Sequence, residues 1–153
     1  MALTSIWLAV LGATSGLGAL LDAFTRKLPN WLCIAMAIAG LTFGFLLDGW
    51  TGLGLHALHG VLAFGIGFLL FSWGVFGGGD GKFYAASATF FPATKVLMLF
   101  VAMTFAGFVL ALVWFAAKRG FKVRQRSQDD FAKLPYGMAI AIGSIALAIY
   151  TLQ

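Results

Sequence analysis

The sequence is poor in charge and in cysteine. Only 10% of its 153 residues are charged, and its five acidic residues are all aspartates. A soluble domain carries about 25% charged residues, so this composition argues against a soluble protein. The single cysteine, Cys33, excludes an intramolecular disulfide and a cluster of thiolate metal ligands.

Long apolar runs take the place of the missing charge, and hydrophobic residues make up 61% of the chain. A helix of roughly 20 apolar residues crosses the hydrocarbon core of a bilayer. Uncharged runs of about this length or more cover residues 3–21, 28–47, 49–79, 96–117 and 134–153. Backbone in lipid must satisfy its own hydrogen bonds. The sequence therefore predicts an all-α, polytopic membrane protein that forms one domain over residues 1–153. The first run follows no Lys or Arg, unlike a secretory signal, so we expect it to be a retained helix.

The basic residues predict how often the chain crosses the membrane, because Lys and Arg are retained on the cytoplasmic side of short loops. Nine of the ten basic residues share that side if the chain crosses six times. This topology requires a short fourth crossing through residues 83–93, which follows a glycine-rich loop and spans about 17 Å against a core near 30 Å. The net charge of +5 is thereby assigned to topology, and nucleic acid is not an expected partner.

The polar stretch before the last apolar run, residues 118–133, carries six of the ten basic residues. We interpret it as a solvated loop that fixes the topology. Binding of a protein partner or of anionic membrane lipid is the alternative.

Two aspartates lie where apolar runs end: Asp22 follows the first run and Asp80 the third. Ionisable groups at such positions are costly and are by default functional candidates that face the bundle interior. Two carboxylates at one depth can share a proton, so that one activates water and the other protonates a leaving group. The structural alternatives are an ion pair of Asp22 with Arg26, and a glycine-turn aspartate at position 80 paired with Lys82.

The other polar residues in the apolar runs have structural interpretations. Asp48 precedes a glycine and is expected in a turn. His56 and His59 share a helix face and are interpreted as packing or hydrogen-bonding groups rather than metal ligands. The segment GGGDGKF, residues 77–83, lacks the spacing of a phosphate-binding loop. Neither a metal nor another cofactor is therefore expected.

The glycines around Asp80 suggest a peptide-binding segment. Glycine lets another chain approach closely, so residues 77–81 are expected to form a flexible segment to which an unwound substrate adds as a strand.

Three motifs occur in order along the chain. GGGD, residues 77–80, matches the GxGD signature of intramembrane aspartic proteases, and Lys82 extends it to the GxGDxK form of type IV prepilin peptidases. The residues that match that family's D-x-x-x-R-x-[IL]-P-N element are Asp22, Arg26, Leu28, Pro29 and Asn30. KLPYGMAIAIG, residues 133–143, is similar to its PYG-x-A-I-A-x-G element. The sequence thus resembles the type IV prepilin peptidases over nearly its whole length.

This resemblance implies an aspartic endopeptidase of the bacterial inner membrane with six helices. Asp22 and Asp80 would cleave the basic leader of a prepilin or pseudopilin at the cytoplasmic face, and the pilus assembly machinery is a candidate partner. The candidate substrate-binding residues are Gly77, Gly78, Gly79, Lys82 and Arg26. The chain lacks the paired CxxC motifs of the long, N-methylating members. It resembles the short, protease-only form of tight-adherence (Flp) pilus systems, for which methyltransferase activity is not expected.

Three other functions compete with this one. A small proton-coupled transporter would use Asp22 and Asp80 as a proton relay, but both lie at the same end of their helices. A membrane scaffold of a secretion apparatus would leave Asp80 unexplained. A related GxGD protease that acts on signal-peptide remnants would carry Tyr-Asp at the first aspartate, where this chain has Leu21.

Overall fold

The computed structural model describes residues 2–120 and 136–153. Its helices are α1 (Ala2–Thr25), α2 (Asn30–Ser72), α3 (Gly78–Ala88), α4 (Val96–Gly120) and α5 (Tyr136–Thr151), and a 3-10 turn precedes α4. The described residues contain no strand, which confirms the all-α prediction. Residues 121–133 of the predicted polar loop lie outside the described residues, so the structure does not test the interpretation of that loop.

Helix α2 is a hairpin of two arms, residues 30–47 and 50–72. Its backbone leaves helical geometry at Asp48 (φ −130°) and Gly49 (φ 62°), and the left-handed φ at position 49 suits glycine. Beyond this turn the chain folds back on itself. The evidence is that a Cβ atom built on Gly44 would lie 2.7 Å from Cγ of His56. Twelve residues of straight helix would separate these positions by about 18 Å. The turn predicted at Asp48 is confirmed.

Among the residues that the structure describes, three helices are long and apolar enough to cross a membrane, by length and composition: residues 2–25, 30–72 and 93–116. Helix α5 is a shorter apolar helix of 16 residues. Helices α4 and α5 are antiparallel, since Gly107 lies near Ala139 and Gly143 lies near Met103. Near the end of α1, Asp22 meets Gly137 at the start of α5, and Gly143 of α5 meets Met103 of α4.

Helix α3 lies at the centre of this bundle. Phe83 and Tyr84 are fully buried, as are Phe90 and Phe91 just beyond its end. The second arm of α2 approaches it closely, because a Cβ atom on Gly67 would lie 2.9 Å from Cα of Gly81. Small residues at this crossing let the two backbones touch, which is the usual device for helix contact in membranes.

The short helix begins inside the GxGD motif rather than after it, so that part of the prediction is wrong. Gly77 is the N-cap of α3, and Gly78, Gly79 and Asp80 form its first turn. An acidic side chain in the first turn interacts favourably with the helix dipole and caps free N–H groups, and this explains why a glycine-rich stretch is helical here.

Three consecutive carbonyl groups just beyond α3, at residues 89–91, are each paired with a side chain from another helix. His56 Nδ1 lies 2.8 Å from the Thr89 oxygen. Trp7 Nε1 donates to the Phe90 oxygen at 3.2 Å, and His59 Nδ1 lies 2.9 Å from the Phe91 oxygen. A carbonyl only accepts, so both histidines carry their proton on Nδ1. The hydrogen-bonding interpretation of the histidines is confirmed, and their partners are backbone groups that a helix end leaves unpaired.

We expect His59→Leu to destabilise the protein by about 1–3 kcal/mol, because it leaves a buried carbonyl without its donor. Thermal unfolding in detergent should show a lower Tm. Leu58→Ala is the matched control. The Leu58 side chain is 49% exposed, and it has no group that could donate a hydrogen bond to a carbonyl. An unchanged Tm for His59→Leu would contradict the pairing.

Candidate active site

Asp22 and Asp80 line the same cavity at one end of the bundle. Asp22 lies in the last turn of α1 and is only 6% exposed. Asp80 lies in the first turn of α3 and is half-buried. The cavity has a volume of about 570 Å³, and its remaining walls come from the turn after α1, residues 74–79 and Tyr136. The structure thus brings together the two aspartates that the sequence singled out.

The start of α5 holds the Asp22 carboxylate. The Gly137 N–H donates a hydrogen bond of 2.8 Å to Asp22 Oδ2. A Cβ atom on Gly137 would lie only 2.8 Å from the same oxygen, so a side chain at this position would collide with the carboxylate. Glycine therefore lets the start of α5 approach the Asp22 side chain this closely.

The Asp80 carboxylate is held by its own helix. The Gly77 N–H donates to Asp80 Oδ2 at 2.9 Å, which fixes the side chain at the helix start. Gly79 packs against the turn after α1, since its Cβ would lie 3.2 Å from Cβ of Leu28. The expectation of a flexible segment for strand addition is wrong for residues 78–81, which are helical. In this part of the chain, the connection from α2 to α3 that is not helical consists of residues 73–77.

Burial raises the pKa of Asp80 to about 6, and the hydrogen bond from Gly77 opposes this effect. The negative charge of Asp22 raises the pKa further, while the positive charge of Arg26 lowers it. The two carboxylates therefore interact electrostatically across the cavity. Two carboxylates that line one cavity disfavour ionisation of each other, because their charges have the same sign.

Arg26 joins the aspartates at this cavity. It follows α1 directly and has a left-handed backbone (φ 54°), a conformation that costs a non-glycine residue about 1–2 kcal/mol. Its Nε and Nη1 atoms are shielded from solvent. A strained backbone at a residue that lines a cavity is typical of functional sites.

Lys82 lies on a different side of α3 from Asp80. Its Nζ donates to Asn30 Oδ1 at 3.1 Å. Lys82 lines a separate groove of about 620 Å³ between the two arms of α2 and α3, together with Cys33. Of the candidate substrate-binding residues, Gly77, Gly78, Gly79 and Arg26 therefore line the cavity of the aspartates, and Lys82 does not.

Three residues at the site were not singled out from the sequence. The rings of Phe76 and Tyr136 pack at 5.3 Å between centroids, and they line both the aspartate cavity and an adjacent apolar cavity of about 360 Å³. Gly137 donates to Asp22. Tyr136 and Gly137 belong to the PYG element, so that motif was the signal that could have identified them.

No group of three or more His, Cys, Asp or Glu side chains that could hold a metal ion occurs among residues 2–120 and 136–153. The polar side chains that line the cavity are two carboxylates, a guanidinium and a phenol. Two carboxylates with one shared proton provide a general base and a general acid for hydrolysis.

Comparison with known proteins adds one finding. The model of the Type IV leader peptidase family matches residues 3–112, a range that contains Asp22 and Asp80 and leaves α5 outside. Neither a curated protein nor a solved structure matches the chain. The family match extends over more than half of the sequence, and the long apolar helices agree with an integral membrane protein. This chain therefore belongs to the type IV leader peptidase family and is an integral membrane peptidase.

Proposed function

We propose that the chain is a prepilin leader peptidase that uses Asp22 and Asp80 as its catalytic pair. The observation that carries the proposal is the single cavity that both carboxylates line. Family membership supplies the reaction, which is cleavage of a leader peptide. The rival function of a proton-coupled transporter gains no support from this placement, because both aspartates lie at one end of the bundle.

The reaction follows from the chemistry of a proton-sharing pair. The ionised carboxylate takes a proton from a water molecule in the cavity, and the resulting hydroxide attacks the carbonyl carbon of the scissile peptide bond. The protonated carboxylic acid then gives its proton to the amide nitrogen, and the C–N bond breaks. One water is consumed, and the pair again holds one proton when the two products leave.

We propose substrates with a basic leader and an apolar helix, the prepilins or pseudopilins of Flp-type systems. The glycines at positions 77–79 leave room for a peptide backbone at the cavity. The adjacent apolar cavity shares Phe76 and Tyr136 with it, and this supports a substrate with apolar residues beside the scissile bond. Lys82 would meet the substrate only from the groove on the other side of α3.

We place the protein in the bacterial inner membrane with six crossings and the cavity at the cytoplasmic face. The two arms of α2 fold back on each other, which separates the second and third crossings. Residues 83–93 would form the short fourth crossing. The buried carbonyls at residues 89–91 have side-chain partners, as a chain that leaves helical geometry inside a membrane requires. N-methylation is not part of the proposed activity.

Mass analysis of a co-expressed Flp-type prepilin tests the proposal. In a host without another prepilin peptidase, we expect the prepilin to lose its leader only when this chain is present. The product should carry a free amino terminus without an added methyl group. Intact prepilin beside membrane-inserted, folded protein would contradict the peptidase assignment, and a methylated product would contradict the protease-only assignment.

A further inference from the structure

The turn between α1 and α2 presents one positive charge to both aspartates. Arg26 lies at the position that follows a helix end, where glycine is the usual residue with left-handed φ. The chain has 20 glycines, yet this strained position is an arginine with φ 54°. The side chain therefore has to supply something that glycine lacks.

What the side chain supplies is charge inside the cavity. Arg26 lines it beside Asp22 and Asp80, and its Nε and Nη1 atoms are shielded from solvent. Its charge interacts with both carboxylates. A partly shielded guanidinium is stabilised by nearby opposite charge, and an ionised aspartate at the same cavity would supply that charge.

The charges around the cavity are few among the described residues. Helix α1 and the turn after it contribute Asp22 and Arg26, α3 contributes Asp80, and the start of α5 contributes the phenol of Tyr136. Residues 74–79 add no titratable group, and Lys82 lies in the other groove. A pair with one shared proton carries one negative charge, so together with Arg26 it is electrically neutral.

We infer that Arg26 is a positioning residue whose guanidinium charge sets the pH range over which the Asp22–Asp80 pair holds one shared proton. This role rests on the proposed peptidase function and adds to it. A substrate contact through Arg26 would change KM, whereas charge compensation changes the pH dependence of the reaction.

The direction of the effect follows from electrostatics. A positive charge favours the ionised form of each carboxylate, so its removal raises the pH at which each of the two protons leaves. Both limbs of the bell-shaped profile of kcat/KM should therefore move to higher pH, by about one unit for the loss of one nearby charge. Below the acidic limb of the parent, this shift is an approximately tenfold loss of activity.

The test compares the pH profiles of the parent with those of Arg26→Gln, Arg26→Gly and Arg26→Lys, using a Flp-type prepilin in detergent. We expect Arg26→Gln and Arg26→Gly to shift both limbs upward and Arg26→Lys to keep them in place. Glycine adopts a left-handed backbone without steric cost. Arg26→Gly therefore removes the charge without adding backbone strain. Lys27→Gln is the matched control, because it removes a positive charge from an exposed neighbouring residue that does not line the cavity.

A uniform fall in rate with both limbs in place would overturn the inference and leave the peptidase function standing. An equal shift in Lys27→Gln would also overturn it, since the effect would then be one of general surface charge. A parent without cleavage at any pH would instead overturn the proposed function and this role with it. If the variants are too slow to assay, infrared titration of the protonated carboxyl C=O band gives the same answer. Its midpoints should rise in Arg26→Gln and stay unchanged in Lys27→Gln.

Discussion

Asp22→Asn and Asp80→Asn are each expected to lower kcat/KM for leader cleavage by at least about 10³-fold. Asparagine keeps the shape of the side chain and an oxygen that accepts the N–H of Gly137 or Gly77. It cannot hold a proton that moves during the reaction. The loss should therefore appear in the chemical step, with the protein still inserted and folded.

The double variant Asp22→Asn/Asp80→Asn should be no worse than either single variant. Residues that act as one unit lose their whole contribution when one member is removed, so their effects do not add. Additive losses in the double variant would indicate two independent roles and would contradict a proton-sharing pair.

Asp48→Asn is the control for a general effect of charge removal. Asp48 lies in the turn between the arms of α2, at the end of the bundle opposite the cavity. We expect it to keep the parent rate, and equal inactivation by Asp48→Asn would point to a loss of insertion rather than of catalysis. The rates are measured by mass spectrometry of the products at successive times. Size-exclusion chromatography checks that each variant is folded.

The aspartate pair could be found from the sequence because its signal is local. In a chain with so little charge, an aspartate at the end of an apolar run stands out, and burial at such a position is costly. The same contrast separated the arms of α2, where Asp48 and Gly49 interrupt an otherwise apolar helix. The helical class and the choice of Asp22 and Asp80 as candidate site residues both follow from patterns of charge along the chain.

The partners of these groups could not be found in this way, because they depend on which helix faces which. His56 and His59 are separated by more than 30 residues from the carbonyls that they pair with. Nothing near them in the sequence marks those carbonyls as unpaired. The conformation of the glycine-rich segment was hard to predict for a related reason. Glycine allows many backbone conformations, and the hydrogen bond that the Gly77 N–H donates to Asp80 selects a helix start among them.

Gly137→Ala is expected to lower kcat/KM by about a hundredfold while the protein remains folded. The new methyl group would lie 2.8 Å from both Cβ and Oδ2 of Asp22, so the carboxylate must move or lose its hydrogen bond from Gly137. A displacement of about 1 Å in a catalytic group is enough for a loss of this size. The measurement is the rate of prepilin cleavage, with the Tm in detergent determined on the same preparation.

Two further glycines separate displacement of the carboxylate from damage to packing. Gly143→Ala would place a Cβ atom 2.6 Å from the backbone nitrogen of Met103, between α4 and α5 and away from Asp22. We expect it to lower the Tm more than Gly137→Ala does, because two backbones have to separate. Gly107→Ala makes an ordinary contact of 3.5 Å with Cβ of Ala139 and should change neither quantity. If Gly137→Ala lost rate only in proportion to its loss of Tm, Gly137 would be a packing residue. A large loss of rate at a nearly unchanged Tm would instead mean that α5 is part of the catalytic site, although the family match ends before that helix begins.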